Sequence, residues 1–176
     1  AVRELPAGSG IGCRPFALAV ADLNADGRRD VLVWRENCGL RLMLQQADGS
    51  FGVAWDDATL RLDRVADLDG DGRPELLALE GGLVRVHRGL AGGTFGAATE
   101  LSMPGVRQID LGDVDGDGRP DIVGSGDTVV VLRQQAGGGF AAPEVLALAS
   151  GQSSGGVAVG DIDGDGRADL VFSRQF

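Results

Sequence analysis

DVDGDGRPD, residues 113–121, sets four acidic side chains into nine residues beside two glycines and a proline, in a chain that has no lysine. Like charges a few ångströms apart repel, so this crowding asks for a compensating partner. The pattern recurs three more times: residues 22–30 read DLNADGRRD, 67–75 read DLDGDGRPE and 161–169 read DIDGDGRAD. All four follow D-x-[DN]-x-D-G-R-x-[DE]. Together they hold 15 of the 26 acidic residues but only 5 of the 16 arginines, and the 11 acids elsewhere are matched by 11 arginines. The formal charge of −10 therefore resides in four turns. Carboxylates used for solubility would be scattered, and an acidic face or tail would not be periodic. A metal site gathers them in this way.

The spacing points to one kind of metal. In a tight turn, positions 1, 3 and 5 direct oxygens to one centre, glycine at 6 permits the backbone reversal, position 7 offers its carbonyl and a carboxylate at 9 closes the shell. No histidine or cysteine lies in any of the turns. A flexible shell of six or seven oxygens suits Ca²⁺ better than zinc, copper or the strictly octahedral Mg²⁺. Up to four Ca²⁺ are expected, and four would offset eight of the ten formal negative charges. The EF-hand shares the opening of this motif but needs a bidentate Glu at position 12 and flanking helices. Position 12 here is Val33, Ala78, Gly124 and Phe172, and the flanks ALAVAD, DVLVW, VAVGD and DLVF are short, β-branched runs that read as strands. Asp and Gly also favour turns for backbone reasons alone, but that does not account for four turns in register.

The 176 residues are 43% hydrophobic with 30 glycines, a core-forming composition that favours many strands and tight turns. No apolar stretch approaches the length needed to span a bilayer, so no membrane insertion is expected. First ligands recur at residues 22, 67, 113 and 161, separated by 45, 46 and 48 residues. Around each turn the order repeats: apolar strand, acidic turn, second strand, polar turn, third strand, glycine-rich turn, fourth strand. The third strands are LRLMLQQ, LVRVHRG and VVVLRQQ, and the fourth open at Phe51, Phe95 and Phe140. Four antiparallel strands per period predict an all-β protein, a β-propeller. The whole chain, 1–176, is read as a single repeat domain centred on turns 22–30, 67–75, 113–121 and 161–169. VRELPAG, residues 2–8, aligns with ATELSMPG, residues 98–105, and reads as one further fourth strand. Three full sets and two more strands follow, fifteen in all, so the fourth blade is incomplete within the chain.

The chain resembles the FG-GAP or VCBS-type repeats of integrin α-subunit propellers and bacterial surface proteins. The resemblance is carried by the four acidic turns, the pairs Phe51 with Gly52 and Phe95 with Gly96, and FAAP at 140–143. It implies one Ca²⁺ per turn between the first and second strands of a blade. The implied ligands are Asp22, Asn24, Asp26, Arg28 and Asp30; Asp67, Asp69, Asp71, Arg73 and Glu75; Asp113, Asp115, Asp117, Arg119 and Asp121; and Asp161, Asp163, Asp165, Arg167 and Asp169. The arginines would ligate through their carbonyls only. Asn24 and Ala25 depart from the pattern and mark the first turn as the weakest site, while Glu75 is one methylene longer than the aspartate at that position elsewhere. In a propeller, Cys13 and Cys38 lie on connections that emerge on the face opposite the acidic turns, which favours a disulfide between them.

The only histidine, His87, sits at strand spacing, and no nucleophile, base and orienting residue stand together. No enzymatic activity is expected. Trp34 and Trp55 read as blade packing. The balanced arginines form no basic run, so nucleic acid is not an expected partner. The fold and disulfide imply an extracellular or cell-surface location. Three function classes fit: a calcium-binding module for adhesion or for a protein or glycan ligand, a self-assembling subunit completed by copies of itself through open strand edges, and the propeller of a polysaccharide-acting enzyme.

Overall fold

The computed structural model describes residues 13–146, 153–165 and 168–175. Among these the chain forms fourteen strands and no helix. The first sheet has the order β1 (Arg14–Ala21), β2 (Asp30–Glu36), β3 (Gly39–Gln45), β4 (Phe51–Asp57). The second follows as β5 (Arg64–Ala66), β6 (Glu75–Glu80), β7 (Leu83–Leu90), β8 (Thr94–Ser102). The third is β9 (Val106–Gly112), β10 (Asp121–Gly126), β11 (Val129–Leu132), β12 (Glu144–Leu146), and the fourth pairs β13 (Ser153–Gly160) with β14 (Asp169–Gln175). Consecutive strands are spatial neighbours in every sheet and the paired strands are antiparallel, the blade arrangement expected from the repeat. The strand expected at residues 2–8 lies outside the described residues.

By contact density the chain divides into two compact units, residues 1–78 with 86–99, and residues 79–85 with 100–176, so that the second sheet contributes to both. In the first unit, period-two alternation sorts β2 by face. Leu32 joins Leu40, Leu42, Leu62 and Leu76 in a core bordered by Trp34, Trp55 and Phe95, while Val31 and Val33 pack with Met43 and Phe51. Leu32, Leu40, Leu42 and Leu76 are fully buried, each stabilising the fold by roughly 2 kcal/mol. Both tryptophans pack as expected. Trp55 meets Phe95 edge-on at 5.9 Å and donates from Nε1 to the Gly93 carbonyl, and Trp34 meets Phe16 edge-on at 5.3 Å. A disulfide joins Cys13 to Cys38, tying the start of β1 to the β2–β3 turn.

In the second unit, Val123, Val129 and Val131 pack with Val157, Val159, Leu170 and Phe172, joining the third sheet to the fourth. The Val159 N–H donates to Asp110, and the Ser154 hydroxyl bonds both the N–H and the carbonyl of Gly126.

One strand starts later than its sequence suggests. Phe140 forms only an isolated bridge with Gln134, and β12 opens at Glu144. Between them, the Ala141 N–H still reaches the Arg133 carbonyl, but Pro143 has no N–H to continue the ladder.

Candidate metal centre

Each acidic turn closes the hairpin between the first and second strands of a sheet: 22–30 between β1 and β2, 67–75 between β5 and β6, 113–121 between β9 and β10, and 161–169 between β13 and β14. The local fold follows from nested bonds between short acidic side chains and the backbone just ahead of them. The first aspartate accepts the N–H of the position-six glycine: Gly27 to Asp22 at 2.7 Å, Gly72 to Asp67 at 2.9 Å, Gly118 to Asp113 at 2.7 Å. The position-three side chain accepts the position-five N–H in all four turns. Positions four and six need left-handed backbone. Glycine supplies it in the second and third turns, with φ from 75° to 84°. The first turn instead holds Ala25 at φ 60°, a conformation that costs an L-residue about 1 kcal/mol.

These bonds gather three carboxylates, with one oxygen from each within 4.8 Å of the others, in three of the four turns: Asp67, Asp69 and Asp71; Asp113, Asp115 and Asp121; Asp161, Asp163 and Asp169. Oxygens bound to a single cation at about 2.4 Å lie at most about 4.8 Å apart, so the clusters have the compass of a shell for a hard divalent ion. The first turn, with Asn24, holds no such group of three carboxylates. The second and third clusters differ in membership. Glu75 lies outside the second cluster and Asp117 outside the third, although Asp121 is clasped by two backbone N–H groups as Glu75 is, and Asp71 is paired with its arginine as Asp117 is. Arg167 lies outside the described residues.

The ninth-position acid has a second role that residue spacing does not reveal. Asp30 and Asp121 are fully buried and Glu75 nearly so. One oxygen accepts the N–H of position two, from Leu23, Leu68 and Val114, and the other accepts an N–H at the end of the third strand, from Gln45, Gly89 and Gln134. The acid thus clamps the turn to the sheet. Asp169 makes the first of these bonds, to Ile162. A signal was present in the sequence: an acid opens every apolar second strand, a position where a carboxylate is buried and must find donors.

Electrostatics favour a cation. Burial pushes the Glu75 and Asp121 carboxyls above the usual range, against the pull of their two N–H donors, and the neighbouring acids Asp69 and Asp67, or Asp115 and Asp117, push them further. Against its own desolvation, Asp113 is held below the usual range by the N–H groups of Gly118, Gly116 and Asp117. A positive ion among these oxygens would relieve the mutual repulsion. The position-seven arginines, expected to contribute carbonyls alone, also turn their guanidinium groups onto position five, pairing Arg28 with Asp26, Arg73 with Asp71 and Arg119 with Asp117. His87 Nδ1 lies 3.0 Å from the Gly96 carbonyl, a structural contact on its blade.

Four-stranded antiparallel blades with an acidic turn at the same corner of each define a β-propeller built of repeats. The family described as FG-GAP-like repeat matches residues 67–124 and 113–172, more than half of the chain, and the chain belongs to it. None of the curated proteins compared with it matches. Among solved structures, it resembles an Agrocybe aegerita lectin that specifically recognises non-reducing terminal N-acetylglucosamine, at TM-score 0.67 and 22% identity over 90% of this chain. It spans about half of that lectin's chain, 47%. It also resembles part of the Photorhabdus luminescens Tc holotoxin pore (TM-score 0.53, 22% identity, 88% of this chain and 8% of that one). The V. cholerae biofilm matrix protein Bap1 is similar as well (TM-score 0.53, 19% identity, 91% of this chain and 28% of that one). At these identities the likeness concerns the fold.

Proposed function

We infer that this chain is a calcium-stabilised, extracellular propeller module whose work is binding a protein or glycan rather than catalysis. The observation that carries the calcium reading is a cluster of three carboxylates formed at the same hairpin in three of four repeats. Asp67, Asp69 and Asp71 with the Arg73 carbonyl would hold the ion in the second turn, Asp113, Asp115 and Asp121 with the Arg119 carbonyl in the third, and Asp161, Asp163 and Asp169 in the fourth. In the first turn, Asp22, Asn24, Asp26, the Arg28 carbonyl and Asp30 form a weaker site, with one carboxylate fewer and a strained Ala25. The bound ions supply positive charge that offsets the acidic turns and ties the two strands of each hairpin together. Support for an extracellular setting comes from the disulfide, which persists under oxidising conditions. Support for a glycan ligand comes from the likeness to the lectin, and for a place in a matrix or larger assembly from the likeness to the biofilm protein and the holotoxin. A second reading, association with copies of itself, draws on Leu18 and Val20, both exposed on one face of β1, with Phe16 exposed at the bulge beside them.

The test is thermal unfolding in Ca²⁺ and in chelator, followed by glycan-array binding in Ca²⁺ and by light scattering. Binding to the native state raises the midpoint with Ca²⁺ concentration. A midpoint indifferent to chelator removes the calcium reading. An array without a hit removes the glycan, and a monomer at all concentrations removes self-association.

A further inference from the structure

The three fully described turns differ in acid content, and the number of arginines paired with those acids differs with it. In the second, Arg88 reaches in from the end of β7, with Nη2 3.0 Å from Asp69 Oδ2 and 3.3 Å from Asp71 Oδ2. Arg88 immediately precedes Gly89, whose N–H clasps Glu75. The corresponding residue in the third turn is Arg133, which precedes Gln134 and lies with Nε 3.7 Å from Asp115 Oδ2 while also pairing with Glu144. In the first turn that place belongs to Leu44, which precedes Gln45 and packs against the core, and the position-three residue is the neutral Asn24. An arginine at the end of the third strand thus goes with an aspartate at position three, and a leucine goes with an asparagine. The first turn has three carboxylates and one paired arginine, Arg28, because Arg29 is exposed and pairs with none of the turn's acids. The second and third each have four carboxylates and two arginines, Arg73 with Arg88 and Arg119 with Arg133. Counted against the arginines paired with them, the acids of each turn keep an excess of two, with Arg133 shared between the third turn and Glu144.

We propose that Arg88, and more weakly Arg133, are counter-charges built into the ion sites. They hold the position-three carboxylate and lower the excess charge of a four-acid turn to that of a single divalent ion, setting Ca²⁺ affinity below what the acids alone would give. The inference rests on the calcium reading above. Ligand charge count is a principal control of affinity in such oxygen shells. Arg88 acts through Asp69 and Asp71, without touching the ion.

Each turn carries its own reporter, the position-six glycine N–H bonded to the first aspartate: Gly72 for the second and Gly118 for the third. Ca²⁺ alone is titrated into the full chain, and these amide resonances are followed in Arg88→Gln and Arg88→Lys. The Gln variant is expected to tighten the Gly72 site about three- to tenfold, the range for deleting one exposed charge near a dication, and the gain should shrink at high salt. Gly118 should not change, and the Lys variant, which keeps the charge without the fork, should behave like the parent. Weaker or unchanged binding in Arg88→Gln, or a Lys variant that behaves like Gln, overturns the counter-charge while the calcium reading stands. If no turn of the parent protein responds to Ca²⁺, both fail together.

Discussion

Replacing Asp121 with Asn separates the two roles assigned to the ninth-position acid. Asp121 is fully buried and accepts two N–H groups, from Val114 at 3.0 Å and Gln134 at 2.8 Å. Asparagine has the same shape but only one acceptor oxygen, so one buried donor faces an NH₂ group, at a cost of about 1–3 kcal/mol. Burial already pushes the Asp121 carboxyl up, so a neutral replacement relieves part of that penalty. The loss in chelator should therefore sit near the low end, about 1 kcal/mol. In Ca²⁺ at a hundred times the dissociation constant, the parent gains about 2.7 kcal/mol from the third site, most of which the variant forfeits. The expected destabilisation is then about 3–4 kcal/mol. Urea unfolding of both proteins, each with Ca²⁺ and with chelator, measures all four quantities. Equal losses in the two buffers would refute the ligand role, and no loss in chelator would refute the clamp.

Alanine scanning of two glycines should separate strain from collision. Both Gly39 and Gly72 are left-handed, with φ 68° and 81°, but a Cβ at Gly39 would lie 2.0 Å from the Asp57 carbonyl oxygen while one at Gly72 meets nothing within 4 Å. In chelator, Gly72→Ala is expected to cost about 1 kcal/mol, and Gly39→Ala several times more because backbone must move; similar melting temperatures for the two variants would contradict the packing of β3 on the end of β4. Acid should reveal a third effect. Hydrogen bonds from Arg41 at 2.7 and 2.6 Å, with Arg35 adding to them against desolvation, hold the Asp56 carboxyl below its usual range. A lowered folded value stabilises fully above the unfolded value of about 3.9 and is lost as pH falls through the folded one. The gap in urea midpoint between the parent and Asp56→Asn should therefore narrow from pH 6 to pH 3, and a gap that stays constant would show that these arginines do not stabilise the ionised form.

Much of the fold was legible because its signals are local and repeated. The D-x-D-x-D-G turn dictates its own backbone through side chains that bond amides two to five residues ahead, and the apolar runs on either side have strand periodicity. The limits of such reading appear at Phe140. Its neighbours resemble those of Phe51 and Phe95, yet the ladder waits until Glu144 because Pro143 interrupts the donors. The ligand sets show a similar limit. Equal spacing suggests equal shells, but the gathered carboxylates are positions 1, 3 and 5 in one turn and 1, 3 and 9 in the next two, although the second and third turns share the same amide clasp at position nine and the same arginine pair at position five.

By itself, the sequence determined the repeat, from the recurrence of one motif every 45 to 48 residues, and with it the sheet corner that carries the acids and the chemistry of the donors, which depend on residues within nine positions of one another. Only the tertiary structure decided which carboxylates are buried, which amides at the end of the third strand clasp them, and that Arg88 and Arg133 stand beside position-three aspartates. These contacts join residues 13 to 19 positions apart, and their partners are chosen by strand register. Register is set by the burial of whole faces in a sheet, a property that no single turn contains.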